Sequence, residues 1–212
     1  MISQVAWLPN DFDPITAFRF RRPFHTFLLK VASRCNLDCS YCYVYRSPDT
    51  SWKWKPRFLN QELVERIGHR IQEHVVAHEL DQVSIVLHGG EPLLVGLDGL
   101  REIVATLSSI IKCRISWGLQ TNATLLDESI IEFFFDNAFR IGLSIDGTRE
   151  HNDRHRLYHN GESSYDDTVR AIRLLTSHKD WRSVFGGILV VIDVENRPGD
   201  VLDAIVELGV HS

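Results

Sequence analysis

The chain has 212 residues and a net charge of −5, with 44% hydrophobic and 24% charged residues. This balance excludes a disordered or low-complexity protein, allows a core of domain size, and gives no basic excess for nucleic-acid binding. No apolar run reaches the ~18 residues of a membrane span and the N-terminus has no signal-peptide pattern, so we expect a cytoplasmic protein with no membrane partner.

Strand and helix patterns alternate along the chain. Residues 1–23, interrupted by prolines, are expected to form an N-terminal arm, and residues 24–212 a single core domain. The apolar patterns predict five strands, at residues 27–32, 83–87, 115–119, 141–145 and 184–192. They also predict five helices, one beginning after Asn60, then 98–111, 127–137, one beginning after Ser164, and 200–208.

Five strand–helix units in a row predict an α/β fold whose parallel strands are joined by helical crossovers. Two architectures satisfy this order, a doubly wound sheet and a full or partial TIM-like (β/α) barrel. Both bind their ligands at the carboxyl ends of the strands. Four of the predicted strands lead into polar or glycine-rich segments, at residues 33–43, 88–92, 120–122 and 144–147. We therefore expect one site where these four segments converge.

Three of the four cysteines, Cys35, Cys39 and Cys42, follow the first predicted strand. Their thiolates can occupy three positions of a metal centre and leave one open, as in catalytic metal sites. Structural zinc and ferredoxin-type iron–sulfur clusters usually take four protein ligands. The fourth cysteine, Cys113, precedes the third strand, so we expect it at the opposite end of the sheet. It is interpreted as a small buried hydrophobic residue.

Two motifs carry a resemblance to a known family. The spacing Cys35-x3-Cys39-x2-Cys42, with Tyr41 before the last cysteine, resembles the cluster motif of the radical S-adenosylmethionine (SAM) enzymes. The turn HGGEP at residues 88–92 resembles the GGEP motif of the same superfamily. The stretches RPFHTFLLKVASRCNLDCSYCYVY, VLHGGEPLL, QTNATLLD and GLSIDGTREHNDRHR look like its peptide-modifying branch with a C-terminal SPASM domain, and most like the FxsB-type cyclophane-forming maturases. Anaerobic sulfatase-maturating enzymes are similar but look more distant.

The resemblance implies a fold. Radical SAM cores resemble a partial (β/α) TIM-like barrel of six units, and residues 24–212 hold about five of them. We therefore expect an incomplete core that lacks the sixth strand and the SPASM domain. The missing C-terminal half becomes a candidate partner.

The resemblance also implies the cofactors. Cys35, Cys39 and Cys42 would bind three irons of a [4Fe-4S] cluster, and the amino and carboxylate groups of SAM would chelate the fourth. An electron from a donor such as flavodoxin or ferredoxin would cleave SAM into methionine and a 5′-deoxyadenosyl radical, which abstracts a hydrogen from the substrate. The cofactors perform the bond chemistry, and the protein supplies position and a dry pocket.

The remaining SAM contacts are assigned by the same resemblance and by side-chain chemistry. The glycines of the turn 88–92 let the backbone approach a ligand, and its glutamate can accept a hydrogen bond from the SAM amine. Asn122 and Ser144 can bind the ribose or the carboxylate. Arg156 suits the carboxylate as a bidentate donor, with Arg154 as the alternative. The expected cofactor-binding residues are Tyr41, Gly89, Gly90, Glu91, Pro92, Asn122, Ser144, Arg156 and Val191.

The predicted function is modification of a ribosomally synthesised precursor peptide, through a C–C crosslink between an aromatic ring and a Cβ atom. Two alternatives stay open. The same cofactors serve formylglycine formation, as in the anaerobic sulfatase-maturating enzymes, and thioether formation. The incomplete core is also compatible with a non-catalytic fragment that binds a peptide or a sister chain.

Overall fold

A computed structural model describes residues 23–210, and they contain one sheet of five parallel strands. The strands are β1 (Thr26–Ala32), β2 (Gln82–Gly89), β3 (Arg114–Thr121), β4 (Arg140–Ser144) and β5 (Phe185–Leu189). Each strand lies beside its neighbour in sequence, in the order β1-β2-β3-β4-β5. A doubly wound sheet reverses its strand order at a switch point, and this sheet does not. The five predicted strands are confirmed, and the open sheet is a partial TIM-like barrel.

The helices connect successive strands. They are α1 (Gln61–Ala77), α2 (Gly96–Ile110), α3 (Glu128–Asp136), α4 (Arg149–Asp153), α5 (Tyr165–Ser177) and α6 (Pro198–Glu207). Short 3-10 turns cover Ser51–Trp54, Pro92–Val95 and Trp181–Ser183. Helix α4 interrupts the long polar loop expected after β4. The arm expected over residues 1–23 lies outside the described residues except for Pro23. Among residues 23–210, no helix combines the length and apolar character that a membrane span requires.

Side-chain hydrogen bonds explain where two of the helices begin. Asn60 Oδ1 accepts from Leu63 N at 2.9 Å and caps α1, and Asp127 caps α3 in the same way. Ser164 precedes α5, but the expectation that its side chain caps this helix is wrong. Its hydroxyl donates instead to the carbonyl oxygen of Arg156 at 2.5 Å, and so fixes the loop before α5.

β5 is shorter than the predicted strand 184–192. It ends at Leu189, because β4 ends at Ser144 and offers no further strand partner. Beyond this point Val191 N donates to Asp146 Oδ1 at 3.1 Å. The segment after β5 is therefore held at the carboxyl end of the sheet.

The core lies between the helices and one face of the sheet. Alternate residues of β2 face the core, and Val83, Ile85 and Leu87 are at most 1% exposed. From α3, Phe134 is fully buried and packs on Phe139 with ring centroids 5.0 Å apart. This apolar layer supports the strands from behind, so the polar chemistry is left to the strand ends.

The chain itself covers part of the free edge of β1. Phe58 pairs with Ala32 in an antiparallel bridge, and Leu59 N donates to Val31 O at 3.1 Å. Just beyond the strand, Ser33 N donates to the Arg57 carbonyl oxygen at 2.8 Å. These bonds fix the start of the segment that carries the cysteines.

Candidate active site

The cysteine loop (residues 33–43) is tied along its length to a second loop. Asp38 N donates to Leu157 O at 2.8 Å, and Ser40 N donates to His155 O at 3.1 Å. Leu37 anchors the same stretch, because its side chain is 2% exposed. The backbone that carries the three cysteines is therefore held by neighbouring protein.

Cys35, Cys39 and Cys42 line a cavity of about 280 Å³ at the carboxyl ends of the strands. All four cysteines are free and partly buried. Cys113 directly precedes the first residue of β3 and packs against the core, which confirms that it lies at the other end of the sheet. Within residues 23–210, no three His, Cys, Asp or Glu side chains have the spacing that would chelate a single metal ion.

The electrostatic environment keeps the cysteines protonated when no cation is bound. Burial raises the pKa of Cys35 to about 12, despite the hydrogen bond from Leu37 N to its Sγ at 3.4 Å. Burial also raises the pKa of Cys39, and nearby Arg156 opposes that rise. A thiolate is the form that binds metal, so iron binding here must release protons.

Gly89 and Gly90 let the turn after β2 pack against the cysteine loop. Gly89 has φ of +147°, and a Cβ there would lie 2.1 Å from the carbonyl oxygen of Ala32. At Gly90 a Cβ would lie 2.0 Å from Tyr45 Oη and 2.2 Å from the carbonyl oxygen of Arg34. Both glycines line the cavity, but the close approach that requires them is to the protein's own chain.

Glu91 joins this turn to the end of β3. Its carboxylate is fully buried and accepts from Leu93 N at 2.9 Å, Thr121 Oγ1 at 2.7 Å and Asn122 N at 2.8 Å. Burial raises the pKa of Glu91, and these hydrogen bonds oppose the rise. Glu91 and Pro92 are not among the residues that line the cavity in the described structure. The expected contact from Glu91 to the SAM amine therefore competes with three bonds inside the protein.

Arg156 lies on the opposite wall and is 6% exposed. Its Nη1 donates to Tyr41 Oη at 3.1 Å, and the Tyr41 hydroxyl donates to Asp146. Burial alone would lower the pKa of Arg156, but Tyr41, Cys39 and Asp146 raise it, so the guanidinium stays charged. Arg156 Nε is buried without a partner among the described residues. The cavity thus contains a fixed cation with an unused donor.

The two candidate arginines separate clearly. Arg154 donates to Asp193 Oδ2 at 3.1 Å, where Asp193 also contacts His155 Nε2 at 3.1 Å. Arg154 is not among the cavity-lining residues, whereas Arg156 is. The geometry favours Arg156 as the anion-binding arginine.

Asn122 and Ser144 reach the cavity through hydrogen-bonded networks. Asn122 Nδ2 donates to Asn36 Oδ1 at 2.9 Å and lies 3.7 Å from Cys35 Sγ. Ser144 Oγ accepts from Gln120 Nε2 at 2.8 Å. Of the nine expected cofactor-binding residues, those lining the cavity are Tyr41, Gly89, Gly90, Asn122, Ser144, Arg156 and Val191.

Three residues outside the expected set help to build the site. Gln120 lines the cavity beside Ser144, Asn36 binds Asn122, and Asp146 binds Tyr41. The available signal was their position, because each lies in a polar segment that follows a predicted strand. Nothing in the residue types alone separates them from turn formers.

Comparisons with known proteins agree with this site. Residues 29–205 match the Radical SAM superfamily. The chain is 32% identical over 168 residues to a serine-type anaerobic sulfatase-maturating enzyme of Bacteroides thetaiotaomicron, which covers 78% of this chain and 40% of that enzyme. It is 33% identical over 156 residues to a cysteine-type anaerobic sulfatase-maturating enzyme of Clostridium novyi, covering 72% of this chain and 40% of the relative. The chain therefore spans less than half the length of these relatives.

A solved structure shows the same fold. Native anSMEcpe with bound AdoMet, which is SAM, superposes with a TM-score of 0.74 at 28% identity, over 87% of this chain and 49% of that one. The same protein with AdoMet and the Cp18Cys peptide gives a TM-score of 0.73 at 27% identity, over 88% of this chain and 48% of that one.

The residues present fit the cofactors of this family. Three thiols on one loop face the cavity, and the unpartnered Arg156 Nε and Tyr45 Oη are donors that await an acceptor. From its sequence match, its fold and this donor set, the chain belongs to the radical SAM superfamily, whose cofactors are a [4Fe-4S] cluster and SAM.

Proposed function

We propose that this chain modifies a peptide by abstracting a hydrogen atom from one of its side chains. The observation that carries the proposal is the convergence of Cys35, Cys39, Cys42 and Arg156 on one cavity. When bound there, the cluster and SAM supply an electron transfer and a 5′-deoxyadenosyl radical. The protein supplies binding, orientation and exclusion of water.

Each residue around the cavity has a separate task in this proposal. The three cysteines bind three irons and leave the fourth for SAM. Arg156 pairs with the SAM carboxylate through its free donor, while Tyr41 fixes the guanidinium plane. Asn122 and Ser144 hold the ribose, and the carbonyl group of Val191 faces the adenine. The Val191 N–H is already bonded to Asp146.

A peptide is the substrate class that the comparisons support. The similar enzymes are named for maturing sulfatases, and a superposable structure contains a peptide. Within this class we propose a C–C crosslink between an aromatic ring and a Cβ atom of a ribosomally made precursor. The partners are that precursor and an electron donor such as flavodoxin or ferredoxin, in the cytoplasm, where thiols stay reduced.

A second candidate reaction is oxidation of a serine or cysteine to formylglycine. The 32–33% identity to serine-type and cysteine-type sulfatase-maturating enzymes favours it. Both reactions begin with loss of a hydrogen from a Cβ atom, so the same site serves both. They differ in the product, which a mass spectrum and an aldehyde probe distinguish.

The first test measures the cluster. After anaerobic reconstitution we expect about four irons per chain and a broad absorbance at about 400 nm. Substitution of Cys39→Ala should abolish both signals, whereas the matched control Cys113→Ala should keep them. A colourless wild-type protein that forms no 5′-deoxyadenosine from SAM would refute the proposal.

The second test identifies the product on a peptide. A crosslink or serine oxidation removes two hydrogens, and cysteine oxidation also removes sulfur. A hydrazine probe that labels the product indicates formylglycine, and an unlabelled product with two hydrogens fewer indicates a crosslink or thioether. SAM cleavage with no change in any aromatic-rich or cysteine-containing peptide would contradict the assignment of a peptide substrate.

A further inference from the structure

The hydroxyl group of Tyr45 is buried and has no hydrogen-bond partner within residues 23–210. Tyr45 lies three positions after Cys42 in the chain. Buried polar groups in folded proteins nearly always have a partner, so an isolated hydroxyl needs a specific explanation. A bound group that supplies an acceptor is one such explanation.

The position of this hydroxyl is fixed by its neighbours. Tyr45 lines the same cavity as Cys35 and Cys42. A Cβ added to Gly90 would lie 2.0 Å from Tyr45 Oη, so the missing side chain of Gly90 provides the space for the hydroxyl. The Tyr45 ring packs edge-on against Trp52, with ring centroids 4.8 Å apart. The hydroxyl is thus held at the cavity wall beside two of the cysteines.

The charges around Tyr45 keep it protonated. Burial raises the pKa of Tyr45, and the negative charges of Cys35 and Cys42 raise it further. The ordinary tyrosine pKa is already about 10, so the group is a neutral O–H donor throughout the physiological range. A donor that faces cysteine sulfur is suited to an acceptor that carries negative charge on sulfur.

We infer that the Tyr45 hydroxyl donates a hydrogen bond to a sulfur atom of the bound [4Fe-4S] cluster. The inference rests on the proposed assignment of the three cysteines as cluster ligands. Tyr45 acts as a positioning residue, because it influences the cluster without binding iron. Reduction adds negative charge to the cluster sulfurs, so this bond stabilises the reduced state and raises the reduction potential.

The test compares Tyr45→Phe with wild type in a potentiometric titration without SAM, followed by electron paramagnetic resonance. Tyr45→Phe should hold about tenfold less reduced cluster relative to oxidised cluster at a fixed potential, which is a shift of about 59 mV to more negative values. The matched control Tyr165→Phe removes a hydroxyl at the start of α5, which is outside the cavity, and should leave the potential unchanged.

A second variant covers the case in which Tyr45→Phe assembles little cluster. Incorporation of 3-fluorotyrosine at position 45 keeps the shape and makes the hydroxyl a stronger donor, so the potential should shift to more positive values. Equal potentials for wild type and the variants that assemble a cluster would overturn the inference, as would a shift seen only with SAM, which would assign the hydroxyl to SAM. If wild type itself assembles no cluster, the proposed function fails and not this step alone.

Discussion

The buried carboxylate of Glu91 gives the sharpest test of how the site is held together. It accepts three hydrogen bonds, two from backbone N–H groups and one from the Thr121 hydroxyl. These bonds join the turn after β2 to the end of β3. The substitution Glu91→Ala removes the acceptor and leaves three donors in a place that is fully buried.

The expected cost follows from these contacts. Each buried donor without an acceptor costs about 1–3 kcal/mol, so three cost about 3–9 kcal/mol. Water that enters the gap offsets part of this, and so does the loss of the burial penalty that raises the pKa of Glu91. We expect Glu91→Ala to lower the free energy of unfolding by about 3 kcal/mol. Glu91→Gln should cost less, because it keeps one carbonyl acceptor but places an amide N–H₂ group opposite a donor.

Urea unfolding of the cluster-free chain, followed by circular dichroism under reducing conditions, measures this difference. Because neither cofactor is present, the result reports the bonds inside the protein alone. The exposed α2 residue Glu102 provides the control, and Glu102→Ala should change stability by no more than about 0.5 kcal/mol. If Glu91→Ala unfolds at the same urea concentration as the control, the carboxylate is not a structural tie and its role lies with SAM.

Two further perturbations test the loop contacts. Gly90→Ala would place a Cβ 2.0 Å from Tyr45 Oη, so it should destabilise by about 1–3 kcal/mol in urea unfolding, whereas Gly199→Ala in α6 meets open space and should stabilise by about 0.5 kcal/mol. The backbone N–H of residue 195 and the contact with His155 lower the pKa of Asp193. That contact therefore stabilises the fold above the ordinary aspartate pKa of about 3.9 and is lost as the pH falls through the lowered value. Urea unfolding between pH 5 and 3 should show a steeper loss of stability in wild type than in Asp193→Asn, and equal slopes would contradict this.

The strand order and the cysteine site were accessible from the sequence because local patterns encode them. Apolar runs predicted all five strands, and parallel strands of one sheet bring their carboxyl ends together. The end of β5 was less accessible. Its apolar pattern continues to Ile192, but pairing stops at Leu189 because β4 is short. Strand length depends on the partner, which the pattern of one segment does not contain.

The roles inside the turn 88–92 could not be read from residue types. A glycine pair after a strand suggests room for a ligand, and the structure assigns that room to Tyr45 and to the backbone of the cysteine loop. Likewise, the carboxylate of Glu91 is directed at β3 only because the register of β2 and β3 places Thr121 beside it. Such contacts join segments that lie about thirty residues apart, and no local periodicity marks them.

The tertiary bonds of the site also explain which atoms are left for the cofactors. Asp146 is shared between Tyr41 and Val191, and Glu91 is satisfied by β3, so these carboxylates have their donors within the protein. The site is therefore organised by protein–protein bonds that do not require iron or SAM. Tyr45 Oη and Arg156 Nε are buried donors of this cavity that no described residue satisfies. Because leaving a buried donor unpaired is costly, the fold gains most from ligands that place negative charge at these two points, one near the cysteine sulfurs and one on the opposite wall.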